Sequence, residues 1–158
     1  MILLISCTVL VMAYAMPFFF HIEPCTLCYY QRVPYFFTAC FSALFLYVAL
    51  QTRSNIIAAY YLCCMFVLFM IGMGISIFHV GVENGWFVYK STCAGYLETP
   101  TSVEDLRRML EEAPTVPCDI PGPVLFDISL AGWNSILCFI LAALTVFMIL
   151  YKKKSRKN

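Results

Sequence analysis

Residues 23–34 read EPCTLCYYQRVP, which places Cys25 and Cys28 three apart and Arg32 four residues beyond the second. Two thiols at this spacing suit three chemistries. They can supply part of a tetrahedral zinc set, which commonly consists of two close pairs. They can form a passive staple, although a bridge across so short a loop removes little chain entropy from the unfolded state. They can cycle as a redox pair, because C-x-x-C disulfides form and break readily and one thiol pKa is often lowered. The next candidates, Cys93 and Cys118, are too far apart in sequence to make a second close pair. Spacing therefore favours the redox reading over the zinc and staple alternatives. Arg32 adds to it: on a helix it stands one turn from Cys28. There a cation stabilises a thiolate, offers fixed donors and opposes capture of a divalent metal. The positive end of a nearby helix acts in the same sense. Pro34 fits either the first turn of that helix or a kink in one that starts earlier.

The elements that must hold these residues are apolar. Of 158 residues, 62% are hydrophobic and 12% charged, where a soluble domain carries about 25% charged residues. Residues 1–20, 33–52, 54–82 and 128–151 contain no Asp, Glu, Lys or Arg. A spanning helix needs about 20 such residues, and in lipid only a helix satisfies its own backbone. The expected fold is all-α, an integral membrane four-helix bundle forming one domain over 1–158. Spans fall near 1–20, 33–51, 56–79 and 131–151, with outer loops at 21–32 and 80–130 and a tail at 152–158. Ala13-Tyr14-Ala15 resembles a cleavage site, but no basic residue precedes the first run, so a retained helix is expected. The bare start at Met1 leaves an upstream start open.

Charge sets the orientation. Arg53 and the tail residues Lys152, Lys153, Lys154, Arg156 and Lys157 share one side of a four-span chain, and positive segments stay in the cytoplasm. Every acidic residue falls in the other two loops. Both termini are then cytoplasmic, and Cys25, Cys28, Cys93 and Cys118 lie outside, where thiols pair, cycle or bind metal. Trp86 and Trp133 anchor near the same water–lipid boundary. Cys7, Cys40, Cys63, Cys64 and Cys138 lie in the spans and read as small hydrophobes. The net charge of +1 suggests no nucleic-acid partner.

Three lesser features complete the pattern. Val103, Leu106, Met109, Leu110 and Ala113 recur at helical spacing, Thr101 with Glu104 fits a capping box, and Pro114 stops the run. A short amphipathic helix at 102–113 follows, lying on the bilayer, covering the site or packing on the bundle. His79 and Glu83 are four apart at the end of the third span and can pair on one face. His79 could assist proton delivery, or be an interfacial histidine with a satisfied hydrogen bond. Gly72, Gly74 and Ser76 are placed to allow close helix packing.

CTLCYYQR resembles the C-x-L-C-x-x-[EQ]-R segment of the DsbB family of bacterial disulfide-generating membrane proteins. PCDIPGPVLFDISLAGWN is similar to that family's entry into its fourth span, and FHVGVENGWF is similar to one of its branches. The resemblance implies a quinone-coupled thiol oxidase in the bacterial inner membrane, using ubiquinone or menaquinone. It implies that Cys93 and Cys118 exchange with a DsbA-like thioredoxin-fold periplasmic partner, and that Cys25 and Cys28 face the quinone. Cys28 would be the thiolate beside the quinone ring, with Arg32 helping to hold both; His79 is the further candidate there, and no metal is implied. Thiol exchange requires a reachable sulfur, which suits a polar loop, and a lipid-soluble quinone requires thiols at a span's mouth. The vitamin K epoxide reductase family is similar in span count and cysteine pairs, but its C-x-x-C follows the loop pair in chain order. A metal-binding or structural membrane protein is the non-enzymatic alternative.

Overall fold

A computed structural model describes residues 1–21, 24–52, 55–89, 102–104, 107, 118 and 124–155. Four long helices dominate it: α1 (Ile2–Phe20), α2 (Thr26–Gln51), α3 (Asn55–Glu83) and α4 (Leu130–Ser155). All four are long and apolar enough to cross a membrane. The protein is an all-α membrane bundle. A two-residue antiparallel pair, β1 (Val124–Leu125) with β2 (Ile128–Ser129), turns the chain into α4. Residues 103, 104 and 107 are helical; the rest of the expected 102–113 helix lies outside the described residues, as does Cys93.

The second helix begins at Thr26, ahead of the expected span near 33–51, so Cys28, Gln31 and Arg32 lie on helix and Pro34 lies inside it, the earlier-starting helix that Pro34 allowed. Cys25 is the N-cap, and its sulfur accepts from the Cys28 amide at 3.4 Å. That contact satisfies one of the orphan amides of the first turn. The third helix likewise runs on to Glu83, one turn past its expected end, which brings both His79 and Glu83 onto helix.

Packing is inverted relative to a soluble bundle. Large apolar side chains such as Leu4, Phe37, Tyr60 and Phe139 point outward, as lipid permits. Among the described residues the buried polar ones include Ser6, Thr38, Ser42, Ser76 and Thr145. Lipid offers no hydrophobic drive for helices to associate, so small and polar residues hold them together. Ser6 of α1 bonds Thr38 of α2 at 2.9 Å, and Ser42 of α2 bonds Tyr61 of α3 at 2.9 Å. Asn134 of α4 links two neighbours: it accepts from the Tyr35 hydroxyl at 2.6 Å and donates to Ser76 Oγ at 2.6 Å. Gly72 lets α3 approach closely, since a Cβ there would sit 3.1 Å from Cys138 Sγ and 3.5 Å from Pro34 Cβ. Gly74 has nothing within 4 Å, so it is not a packing glycine as expected. Below this polar layer Met65, Phe69, Leu141 and Ala142 form an apolar cluster between α3 and α4.

Candidate functional site

The start of α2 and the end of α3 meet at one mouth of the bundle. Cys25 and Cys28 lie there in the thiol state, Sγ to Sγ 2.9 Å, with the Cys25 thiol donating to the Cys28 sulfur. His79 reaches across from α3, its Nε2 3.5 Å from Cys25 Sγ. On the other side of the ring the Gln31 amide Nε2 stands 3.1 Å from Nδ1. An amide nitrogen only donates, so Nδ1 accepts and the ring proton sits on Nε2, facing Cys25. The result is a directed chain: Gln31 to His79, His79 to Cys25, Cys25 to Cys28. It leaves Cys28 as the final acceptor, the position at which negative charge on sulfur is best served.

Charge surrounds this chain on two sides. Glu83 Oε1 lies 3.8 Å from His79 Nε2, an i,i+4 pair buried on both sides. Arg32 lies one turn beyond Cys28, its guanidinium 4.7 Å from the centre of the Tyr14 ring of α1 and 4.9 Å from that of Tyr29. Aromatic faces attract a guanidinium, so two tyrosines fix a cation that the surrounding lipid disfavours.

Cys118 completes the cluster from the long second loop. It is 4% exposed and packs with Cys25, Leu27 and Val82. Burial above all pushes its thiol up to about 11, and contact with Cys25 adds to the rise. The Cys25 thiol is pushed up to about 12, first by its hydrogen bond to Cys28 and then by burial. Both are therefore protonated at neutral pH.

Of the residues singled out from sequence, Cys25, Cys28, Cys118 and His79 come together, with Arg32 one turn away. Cys93 lies outside the described residues. Gln31 and Tyr14 were missed. Gln31 stood within the quoted motif but had no visible partner, and Tyr14 is an ordinary aromatic of an apolar run. Gln31 is 9% exposed and His79 3% exposed; two such buried polar groups in facing helices must pair.

The family model described as "Disulfide bond formation protein DsbB" matches residues 1–148. The chain is also similar to the uncharacterized protein RP370 of Rickettsia prowazekii (strain Madrid E), 25% identical over 154 residues, covering 96% of this chain and 86% of that one. No solved structure matches. A match over nearly the whole chain shows that the protein belongs to the DsbB family, and with it to the thiol–disulfide oxidoreductases of membranes.

Proposed function

We propose that this DsbB-family chain oxidises a soluble thioredoxin-fold dithiol protein and passes the electrons to a membrane quinone, so driving disulfide bond formation in the bacterial periplasm. The observation that carries the reading is the contact of Cys118 with Cys25 beside the Cys25–Cys28 pair. It places a loop thiol against the sulfur that a C-x-x-C disulfide would present.

The exchange balances as follows. In the oxidised resting protein Cys25–Cys28 and Cys93–Cys118 are disulfides, and the partner dithiol reduces the second. Cys118, released from the loop disulfide as a thiolate, attacks Cys25 Sγ; a Cys118–Cys25 bond forms and Cys28 leaves as thiolate. Cys93 thiolate attacks Cys118, restoring the loop disulfide and releasing Cys25 as thiol after proton uptake. Two electrons now reside on Cys25 and Cys28. Attack needs a thiolate and departure needs a stabilised one. Hydrogen bonding from Cys25 and the positive charge of Arg32 favour the departing Cys28 sulfur.

The residues at this mouth suit a quinone, a flat apolar ring with an acceptor oxygen at each end. Arg32 offers donors at membrane depth, Tyr14 and Tyr29 offer aromatic surface, and His79 stands beside Cys25. A bound quinone supplies the oxidising power, taking up two electrons and two protons. Within the chain, the buried Glu83 can take the Nε2 proton of His79, and the nitrogen so freed can accept the proton released by Cys25.

The test is quinone absorbance over time, without oxygen, with purified protein and a reduced thioredoxin-fold dithiol protein. Quinone loss matched by new disulfide in the partner is expected for wild type and not for Cys28→Ser. Equal loss in both would remove Cys28 from the role proposed.

A further inference from the structure

The thiol form of the site has a second chemistry. Among the described residues, Cys25, Cys28 and His79 place one ligand atom each within 4.8 Å of one another. Zinc bonds sulfur at about 2.3 Å and imidazole nitrogen at about 2.0–2.1 Å, so tetrahedral ligands stand about 3.5 Å apart for sulfur and nitrogen and about 3.8 Å apart for two sulfurs. Cys25 Sγ and His79 Nε2 are already 3.5 Å apart. Cys25 and Cys28, at 2.9 Å, need only spread by about 1 Å to admit the ion. A fourth thiol is near: Cys118 packs on Cys25 and closes in on the ion, since the group within 4.8 Å comprises Cys25, Cys28 and His79. Cys25, His79 and Cys118 are 6%, 3% and 4% exposed, and Cys28 is half-buried.

Two features that look adverse are not. Arg32 opposes a free divalent ion, but three thiolates with one Zn²⁺ carry a net negative charge, which Arg32 then offsets. His79 Nε2 carries the ring proton in this form, yet half a turn of the Gln31 amide presents its oxygen to Nδ1–H and frees the Nε2 lone pair. Metal-bound histidines characteristically donate their other N–H in this way.

We propose that the reduced protein binds one thiophilic divalent cation, with zinc as the representative ion, through Cys25, Cys28, His79 and Cys118. The metal and the Cys25–Cys28 disulfide are mutually exclusive occupants, so zinc holds the reduced protein out of its oxidation cycle. Binding displaces thiol protons and changes no oxidation state. The binding itself stands on the cluster alone; only its inhibitory consequence rests on the thiol-oxidase reading.

The test uses full-length protein in detergent, reduced with a phosphine under argon and titrated with Co²⁺ as a spectroscopic probe, then with Zn²⁺. Expected is one equivalent of cobalt with thiolate charge-transfer and tetrahedral ligand-field bands, discharged by zinc and absent from the disulfide form. His79→Gln and Cys118→Ser each weaken binding about tenfold or more, and Gln31→Glu tightens it, since a carboxylate accepts Nδ1–H better. Replacing Cys63 and Cys64 by serine leaves the bands intact. Tetrahedral bands that survive Cys25→Ser, or an affinity indifferent to both His79→Gln and Cys118→Ser, would overturn the site. Turnover is measured separately: active protein without cobalt bands defeats this inference alone, and cobalt bands in protein without thiol-oxidase activity defeat the redox reading alone.

Discussion

Gln31 and His79 meet between α2 and α3, amide Nε2 to ring Nδ1 at 3.1 Å, and this contact decides whether the nitrogen facing Cys25 carries the proton. The imidazole thereby directs a proton, not a lone pair, at the sulfur. Selective ¹⁵N-histidine NMR in micelles should show His79 as the Nε2–H tautomer, assigned by removing the other histidine with His21→Ala. Gln31→Glu should convert it to the Nδ1–H form, because a carboxylate can only accept. A tautomer ratio indifferent to that change would mean Gln31 does not orient the ring.

That contact also marks where reading the sequence runs out. Charge-free runs are a one-dimensional property, so four spanning helices were legible. Cys25, Cys28 and Arg32 were legible because their relation is local, fixed by helical spacing. The start of α2 was open in the sequence because Pro34 fits either a first turn or a kink. The helix tolerates Arg32 and Pro34: Tyr14 and Tyr29 receive the cation, and the small Gly72 faces the proline. Gln31 with His79, and Asn134 with Tyr35 and Ser76, depend on the register between helices. Apolar periodicity says little about register when lipid-facing and buried positions are both apolar. Cys118 beside Cys25 was not legible: the family resemblance turns that thiol toward a soluble partner, and a long loop sets no geometry of its own.

Gly72 tests the register directly. A methyl group there meets Cys138 Sγ at 3.1 Å, and the sulfur sits in a packed position with a hydrogen bond to the Tyr35 hydroxyl at 3.3 Å. Gly72→Ala should destabilise the bundle by about 1–3 kcal/mol, the usual cost of overpacking. Cys138→Ala removes the obstructing atom, so the double variant should recover part of that loss in a double-mutant cycle. Unfolding in mixed micelles measures it. Additive losses would show that α3 and α4 do not approach at this pair.

Cys118 should be slow to react at neutral pH. With its thiol at about 11, the thiolate fraction at pH 7 is about 10⁻⁴ and grows tenfold per unit. Alkylation of reduced protein, followed at the Cys118 peptide by mass spectrometry, should therefore keep rising log-linearly to about pH 10. An ordinary thiol levels off above about 8.5. Stability follows the same sign. The hydrogen bond to Cys28, then burial, favours protonated Cys25, and burial favours protonated Cys118, so their contribution is complete below about pH 9 and is lost as pH climbs through about 11 and about 12. A Cys118 profile that levels off like a free thiol would show that the loop does not hold this sulfur in the cluster.

Arg32 separates the two halves of the proposed reaction. Its planar guanidinium is held by Tyr14 and Tyr29 at 4.7 and 4.9 Å, a geometry that the point charge of lysine does not reproduce. Arg32→Lys keeps the charge near Cys28 and loses the fixed donors. Arg32→Met loses both. The KM for quinone should rise about tenfold in Arg32→Lys, matching about 1.4 kcal/mol of lost binding, while exchange between the dithiol partner and the cysteines stays near wild type. In Arg32→Met the rate of Cys28 release should fall as well, since no cation then supports the leaving sulfur. Tyr14→Leu should reproduce the KM effect more weakly, because it loosens the guanidinium without removing it. Stopped-flow exchange with partner, run beside steady-state quinone reduction, distinguishes these outcomes. If Arg32→Lys slows partner exchange and leaves the quinone KM unchanged, the arginine serves the cysteines alone and the quinone is held elsewhere.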